Sequence, residues 1–147
     1  MRITRLRLTD FKTHEDLEIQ PAAGLTIVRG PNEAGKSTIQ QALELALFRK
    51  ADSAREDVRR AQAWGTSEPP TVELDFEVEG TAGTLRKRFA GSRSEGELTL
   101  GGETIRDYTL IGDELARVTG VPTEAFFRAT ASVGHAELDA VSGDEPA

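Results

Sequence analysis

The sequence predicts a mixed α/β domain, and three observations carry that prediction. "LTIVRGPNEAGKSTIQQALELAL", Leu25 to Leu47, runs from an apolar strand through a glycine-rich loop into a helical pattern. "TVELDFEVEG" alternates apolar and acidic residues without a break, and glycine-punctuated segments continue it. Two helix-like stretches with caps and stops then follow toward the C-terminus. A strand–loop–helix unit beside an antiparallel meander implies α/β architecture with a mixed sheet.

In chain order, "RLRLTDF" places Leu6 and Leu8 on one side of a first strand and Arg5 and Arg7 on the other, while Ile3 falls out of phase. "DLEIQP" is a short second strand, Pro21 and Gly24 mark a turn, and "LTIV" is a third strand apolar enough for the centre of a sheet. In the helix after the loop, Ile39, Leu43, Ala46 and Leu47 share one face, with Gln40, Gln41 and Glu44 elsewhere. Arg49 and Lys50 suit the negative end of its dipole. The polar stretch from Ala51 to Pro70 reads as a short helix opened by Ser53, then a loop ended by "EPP".

In "TVELDFEVEG", Val72, Leu74, Phe76 and Val78 form one face and Glu73, Asp75, Glu77 and Glu79 the other, the mark of an antiparallel strand with one wet side. "GTLRKRFAG", "GELTL" and "GGETIRD" extend it as a meander. "IGDELARVTGVP" predicts a helix closed by Gly120 and Pro122, and "PTEAFFRAT" a second one capped by Thr123.

A chain of 147 residues suffices for one domain that buries roughly two-thirds of its unfolded surface. No apolar run approaches the roughly 20 residues of a membrane helix, and "MRITRLRLTDF" lacks the apolar core of a signal peptide. The expectation is a cytoplasmic protein without a membrane partner. The absence of cysteine excludes disulfides and zinc–thiolate sites. A net charge of -7 excludes a general positive coat, yet a local basic stripe is enough to meet DNA. Candidates are a helix face with Arg55, Arg59 and Arg60, and a strand region with Arg86, Lys87, Arg88 and Arg93.

The loop carries the chemistry. Gly30, Gly35, Lys36 and Ser37 satisfy the Walker A spacing G-x-x-x-x-G-K-[ST], with Asn32, Glu33 and Ala34 inside the loop. Its physical logic is a nest of backbone N–H groups around a phosphate at a helix N-terminus. Gly30 and Gly35 permit backbone angles and close approach that a side chain would block. Lys36 supplies a charge to the outer phosphates, Ser37 a hydroxyl to magnesium, and Thr38 is placed for an inner phosphate. ATP and Mg2+ are the implied ligands.

The flanks of the loop carry a resemblance. "LTDFKTHEDLEIQPAAGLTIVRGPNEAGKSTIQQALELALF" resembles the opening of the chromosome-maintenance and DNA-repair ATPases: SMC proteins, SbcC-type ATPases, RecF, RecN and YhaN-like proteins. In that group a first strand ends in a phrase like Asn-Phe-Arg/Lys-Ser-His, and Asp10, Phe11, Lys12, Thr13 and His14 stand at it, with Asp10 for Asn and Thr13 for Ser. "NEAGKST" is nearer the YhaN and SbcC side. Lys12 resembles the basic residue that members aim at the nucleotide. "FFRATASVGHAELDAV" is similar to the Q-loop segment, where Glu137 and Asp139 match and His135 stands in place of glutamine. The resemblance gives that position a catalytic and magnesium-ligating role, and neutral imidazole is a poorer partner for hard magnesium than an amide oxygen.

What the resemblance implies is the N-terminal lobe of an ABC-type ATPase head over residues 1–147. A coiled coil and a C-terminal lobe are expected beyond it, because Walker B and signature sequences are not legible. "TLIGDEL" has its apolar run broken by Gly112, so Asp113 is expected as a helix cap, and "VSGDEP" lies too close behind the Q-like segment. The implied partners are the C-terminal lobe, a second head that pairs around ATP, DNA, and a nuclease. The residues leave two other classes open: a compact P-loop kinase, and a nucleotide-sensing interaction module with degenerate catalysis.

Overall fold

Strict alternation builds the sheet, and the register of each strand follows from which residues it must hide. The computed structural model describes residues 1–31 and 35–130. The strands are β1 (Arg2–Phe11), β2 (His14–Ile19), β3 (Thr71–Val78), β4 (Thr81–Arg88), β5 (Glu95–Leu100) and β6 (Glu103–Ile105). They form one sheet in the order β2-β1-β3-β4-β5-β6, each neighbour antiparallel. Leu6 stands opposite Leu74 and Leu8 opposite Val72, so both strands turn the same face inward. The off-phase Ile3 has a cause: the β1–β3 register shifts between Ile3 and Arg5, and such a bulge resets which face a residue occupies.

Helix α1 (Lys36–Phe48) and helix α3 (Tyr108–Thr119) pack on the inner face. Phe11, Val72, Leu74, Phe76, Leu85 and Leu98 from the sheet meet Ala42, Leu45 and Ala46 of α1 and Ile111 and Leu115 of α3 in one core. Fully burying a leucine- or phenylalanine-sized side chain stabilises by about 1.5–3 kcal/mol. The outer face is a ladder of opposite charges. Arg5 bonds Asp75 at 2.7 Å, Arg7 bonds Asp16 at 3.1 Å, and Arg86 sits between Glu73 and Glu95. Exposed pairs of this kind contribute about 0–1 kcal/mol each, but they neutralise the face.

Several expectations need correction. "LTIV" is not a strand: Leu25, Ile27 and Val28 lie in irregular backbone and are exposed, and no strand pairs with them among the described residues. The buried face of α1 is rotated, with Ala42, Leu45 and Ala46 deepest and Ile39, Leu43 and Leu47 only half-buried, since small alanines let the helix approach the sheet closely. Glu44, expected outside, is buried and paired with Arg128 at 2.9 Å. Asp113 caps nothing: α3 begins earlier, where Asp107 accepts hydrogen bonds from the amides of Thr109 and Leu110 at 2.9 Å each, leaving Asp113 exposed in mid-helix.

The short helix α2 (Glu56–Arg59) starts after Ser53 rather than at it, with Glu56 and Asp57 in its first turn. The stop of α3 is as expected, Gly120 taking the left-handed conformation at φ 67°. Helix α4 (Glu124–Thr130) is capped by Thr123, whose hydroxyl accepts from the Phe126 amide at 3.2 Å.

The end of α1 is held by an unexpected cation. Lys87, on the inward phase of β4 beside Leu85, is only 3% exposed and donates to the carbonyls of Ala46 at 2.5 Å and Arg49 at 2.6 Å. The last carbonyls of a helix lack intrahelical donors and carry its negative end. Lys87 satisfies two of them, the part expected of Arg49 and Lys50. Arg49 instead joins α1 to α2 and α4, through Asp57 and Glu124 at 2.7 Å each. Burial works against its charge, but the bonds to Glu124 and Asp57 outweigh it and hold the guanidinium pKa above its ordinary value.

Candidate functional site

Gly35 leads into the head of α1, and the turn between β1 and β2 closes on it. Gly35 precedes the helix in the left-handed conformation, φ 83°. A Cβ there would also lie 2.5 Å from both Thr13 Oγ1 and His14 Nε2. Conformation and space therefore both demand glycine. His14 Nε2 donates to the Gly35 carbonyl at 3.0 Å, which fixes the proton on that nitrogen. His14 belongs to the β1–β2 phrase singled out in the sequence, but its contact with the loop depends on the hairpin fold and is not readable from spacing.

No side chain caps α1, and its first turn has no acidic residue. Its leading amides thus lack the side-chain acceptor that most helices place there, and the field at that end favours an anion. Lys36 Nζ reaches back across the loop to the Gly30 carbonyl at 2.5 Å. Ser37 is exposed and Thr38 is 5% exposed, so the two hydroxyl residues differ in access. Asn32, Glu33, Ala34 and His135 lie outside the described residues, as does the whole stretch from Ala131 onward.

Lys12 occupies the tight turn with φ 52°, and its ammonium donates to the Gln41 side chain on α1. It also lines a cavity of about 340 Å³ with Phe11, Glu44, Arg60 and Arg128. No described residue of the glycine-rich loop lines that cavity. The strand end before Lys12 is clamped by a distant segment: Lys12 N–H donates to the Ala61 carbonyl at 2.8 Å and Ala63 N–H to the Asp10 carbonyl at 3.3 Å, with Phe11 bridged to Gln62.

Three residues of the basic stretches are engaged within the protein. Lys87 is turned into the core, Arg86 is engaged by Glu73 and Glu95, and Arg60 pairs with Glu56. Among the described residues no helix is long and apolar enough to cross a membrane, and no group of three or more His, Cys, Asp or Glu is placed to hold a metal ion.

Comparison with known proteins narrows the class. Residues 5–119 match the model of a family described as AAA domain. The DNA replication and repair protein RecF of Desulforudis audaxviator is 33% identical over 133 residues, covering 84% of this chain and 36% of its own length. The DNA double-strand break repair Rad50 ATPase of Saccharolobus solfataricus is 26% identical over 151 residues, covering 96% of this chain and 16% of its own. The chain thus spans about a third or less of the length of these relatives. A solved structure from work on ATP-driven dimerization and DNA-stimulated activation of SMC ATPases superposes with a TM-score of 0.67 at 19% identity, covering 99% of this chain and 93% of that one.

Proposed function

The chain belongs to the AAA domain family and has the N-terminal-lobe fold of an ABC-type ATPase head, as in SMC and RecF homologues; from that premise we propose that it grips ATP through Gly30–Thr38 for an SbcC/SMC-like ATPase of DNA repair or chromosome organisation. The observation that carries this reading is the head of α1: uncapped, free of acid in its first turn, and preceded by a left-handed Gly35 packed against Thr13 and His14. Such a terminus is suited to a phosphate group.

In this reading the amides of the loop and first turn orient the β-phosphate, and the Lys36 ammonium leaves the Gly30 carbonyl for the outer phosphates. Magnesium, when bound, supplies neutralisation of charge between the phosphates. Ser37 fits as its one hydroxyl ligand, since magnesium keeps waters and takes other ligands from phosphate. His14 holds the Gly35 carbonyl away from the anion and keeps the loop in shape.

Gripping is not turnover. An electrostatic grip that treats ground and transition states alike does not accelerate hydrolysis. Hydrolysis in this proposal needs a C-terminal lobe, with its Walker B and signature elements, and a second head, while His135 stands at the Q-loop position. The exposed Leu25, Ile27 and Val28 support that reading, because a run of exposed apolar residues marks a surface that a partner covers.

Calorimetry of the chain with ATP and magnesium tests the grip. Weak binding is expected, abolished in Lys36→Ala, with no ATP turnover by the chain alone. Equal affinity in wild type and variant would remove the loop from the nucleotide site.

A further inference from the structure

We propose that α4 is a charge-latched lid: ion pairs from Glu124 and Arg128 hold it against α1 beside the cavity of about 340 Å³, and breaking them frees α4 as a unit while α1 and the sheet stay folded. The inference is independent of the nucleotide reading above.

Charge, more than burial, holds α4 in place. Its seven residues fall well short of the roughly 12–15 that an isolated helix needs in water, so its helical form depends on docking. None of them is buried. By contrast α1 buries Ala42, Leu45 and Ala46 in the core, and its far end is tied to β4 by Lys87 through the carbonyls of Ala46 and Arg49. Helix α1 therefore keeps its place without α4, whereas α4 depends on α1.

The contacts that dock α4 fall on one stripe of α1. Arg128 donates to Glu44 at 2.9 Å, Glu124 pairs with Arg49 at 2.7 Å, and the Phe127 ring lies 5.4 Å from that of Phe48. Glu44 and Phe48 share a helical face at (i, i+4) spacing, with Arg49 just beyond. The charges alternate without a break from Asp57 of α2 through Arg49, Glu124 and Arg128 to Glu44. Within that chain the side chains of Glu44 and Arg49 are each only 10% exposed. Loss of a partner strands such a charge away from water, which costs far more than an exposed pair is worth. Undocking α4 relieves that cost, because water then reaches Glu44. Arg128 is 54% exposed, so salt reaches the latch from its side.

The connection to α3 permits the movement. Gly120 ends α3 in the left-handed conformation, and Val121 and Pro122 follow before Thr123 caps α4. Glu124 and Arg128 line the cavity together with Phe11, Lys12, Gln41 and Leu45, so release of α4 opens it.

Hydrogen exchange of the whole chain at low salt, read at the amides of residues 127–130 against those of residues 42–48 and 72–76, tests the latch. Arg128→Met, which keeps bulk without charge, is expected to speed exchange of residues 127–130 at least about tenfold and leave the other two sets unchanged. Arg128→Lys, which keeps the charge, is expected to retain most of the protection. In the wild type, salt at about 1 M is expected to speed exchange of the same residues alone. Wild-type protection in Arg128→Met, with loss in Phe127→Ala instead, would overturn the proposal by showing that the ring contact holds α4. Exchange of residues 127–130 at the free-peptide rate in the wild type at low salt, or their opening only together with residues 42–48, would overturn it as well.

Discussion

Val72, Leu74 and Phe76 on β3 and Leu25, Ile27 and Val28 ahead of the loop have the same apolar character and opposite environments. The first three are at most 1% exposed, the second three 84%, 63% and 46%. β3 lies between β1 and β4 with its inner face under the helices, while the Leu25 run has no strand beside it among the described residues. Strand character in a sequence states what a segment is suited to, and a neighbour decides whether it becomes a strand. One region is completed by its own chain, and the other presents the residues of a sheet interior to solvent.

The largest expected effect tests that contrast directly. Phe76→Ala should destabilise the chain by about 3–5 kcal/mol, the usual cost of emptying a buried aromatic site. Ile27→Ala should change it by less than about 0.5 kcal/mol, as at a surface position. Chemical denaturation measures both, and a comparable loss in the two variants would mean that the Leu25 run is buried in solution.

Lys87 sharpens the comparison from inside the completed region. Lys87→Met should cost about 2 kcal/mol, because the Ala46 and Arg49 carbonyls lose their donor. Burial pushes the Lys87 ammonium down from 10.5 to about 7. Between those values the unfolded chain holds a proton that the folded chain has released, so stability rises with pH. This contribution is present in full above about 10.5 and lost as pH falls toward about 7. Thermal melts from pH 7 to 9.5 should show the rise in wild type and a flatter profile in Lys87→Met; parallel profiles would show that the ammonium stays charged against the two carbonyls.

The last variant lies in the candidate site. Gly35→Ala should cost at least about 1–2 kcal/mol, the strain of a left-handed non-glycine residue, with the Thr13 and His14 side chains displaced by the new Cβ in addition. Nucleotide binding should nonetheless be lost, because the displaced carbonyl and amides no longer converge on a phosphate. Calorimetry that finds undiminished ATP binding in a folded Gly35→Ala chain would show that loop geometry is not what holds the ligand.

Much of this was legible in the sequence where a local rule decides. The alternation of β3, the glycine-punctuated strands after it, the Thr123 cap and the Gly120 stop depend on residues close in sequence, and the structure has them. The misread features depend on partners far away. Leu25–Val28 reads as a strand because nothing local reveals a missing neighbour. The face of α1 differs because Ala42 and Ala46 approach the sheet more closely than larger residues permit. Lys87 looks like part of a basic run, although the period of two already places it in phase with Leu85; its acceptors come from α1, nearly forty residues back. In the candidate site, the spacing singles out Gly35 and Lys36, whereas the His14 contact and the clamp between Asp10–Lys12 and Ala61–Ala63 exist only once β1 has folded.

Hydrogen exchange at the amides of residues 25–30, followed against those of residues 72–76, tests most directly the proposal that the segment entering the glycine-rich loop becomes a strand only when a second lobe covers it. In the chain alone the 25–30 amides should exchange near the free-peptide rate while the β3 amides exchange only on global opening. On addition of a C-terminal lobe of the same head, the 25–30 amides should become protected to the level of β3. Protection of residues 25–30 in the chain alone, or free exchange there after the second lobe has bound, would contradict it.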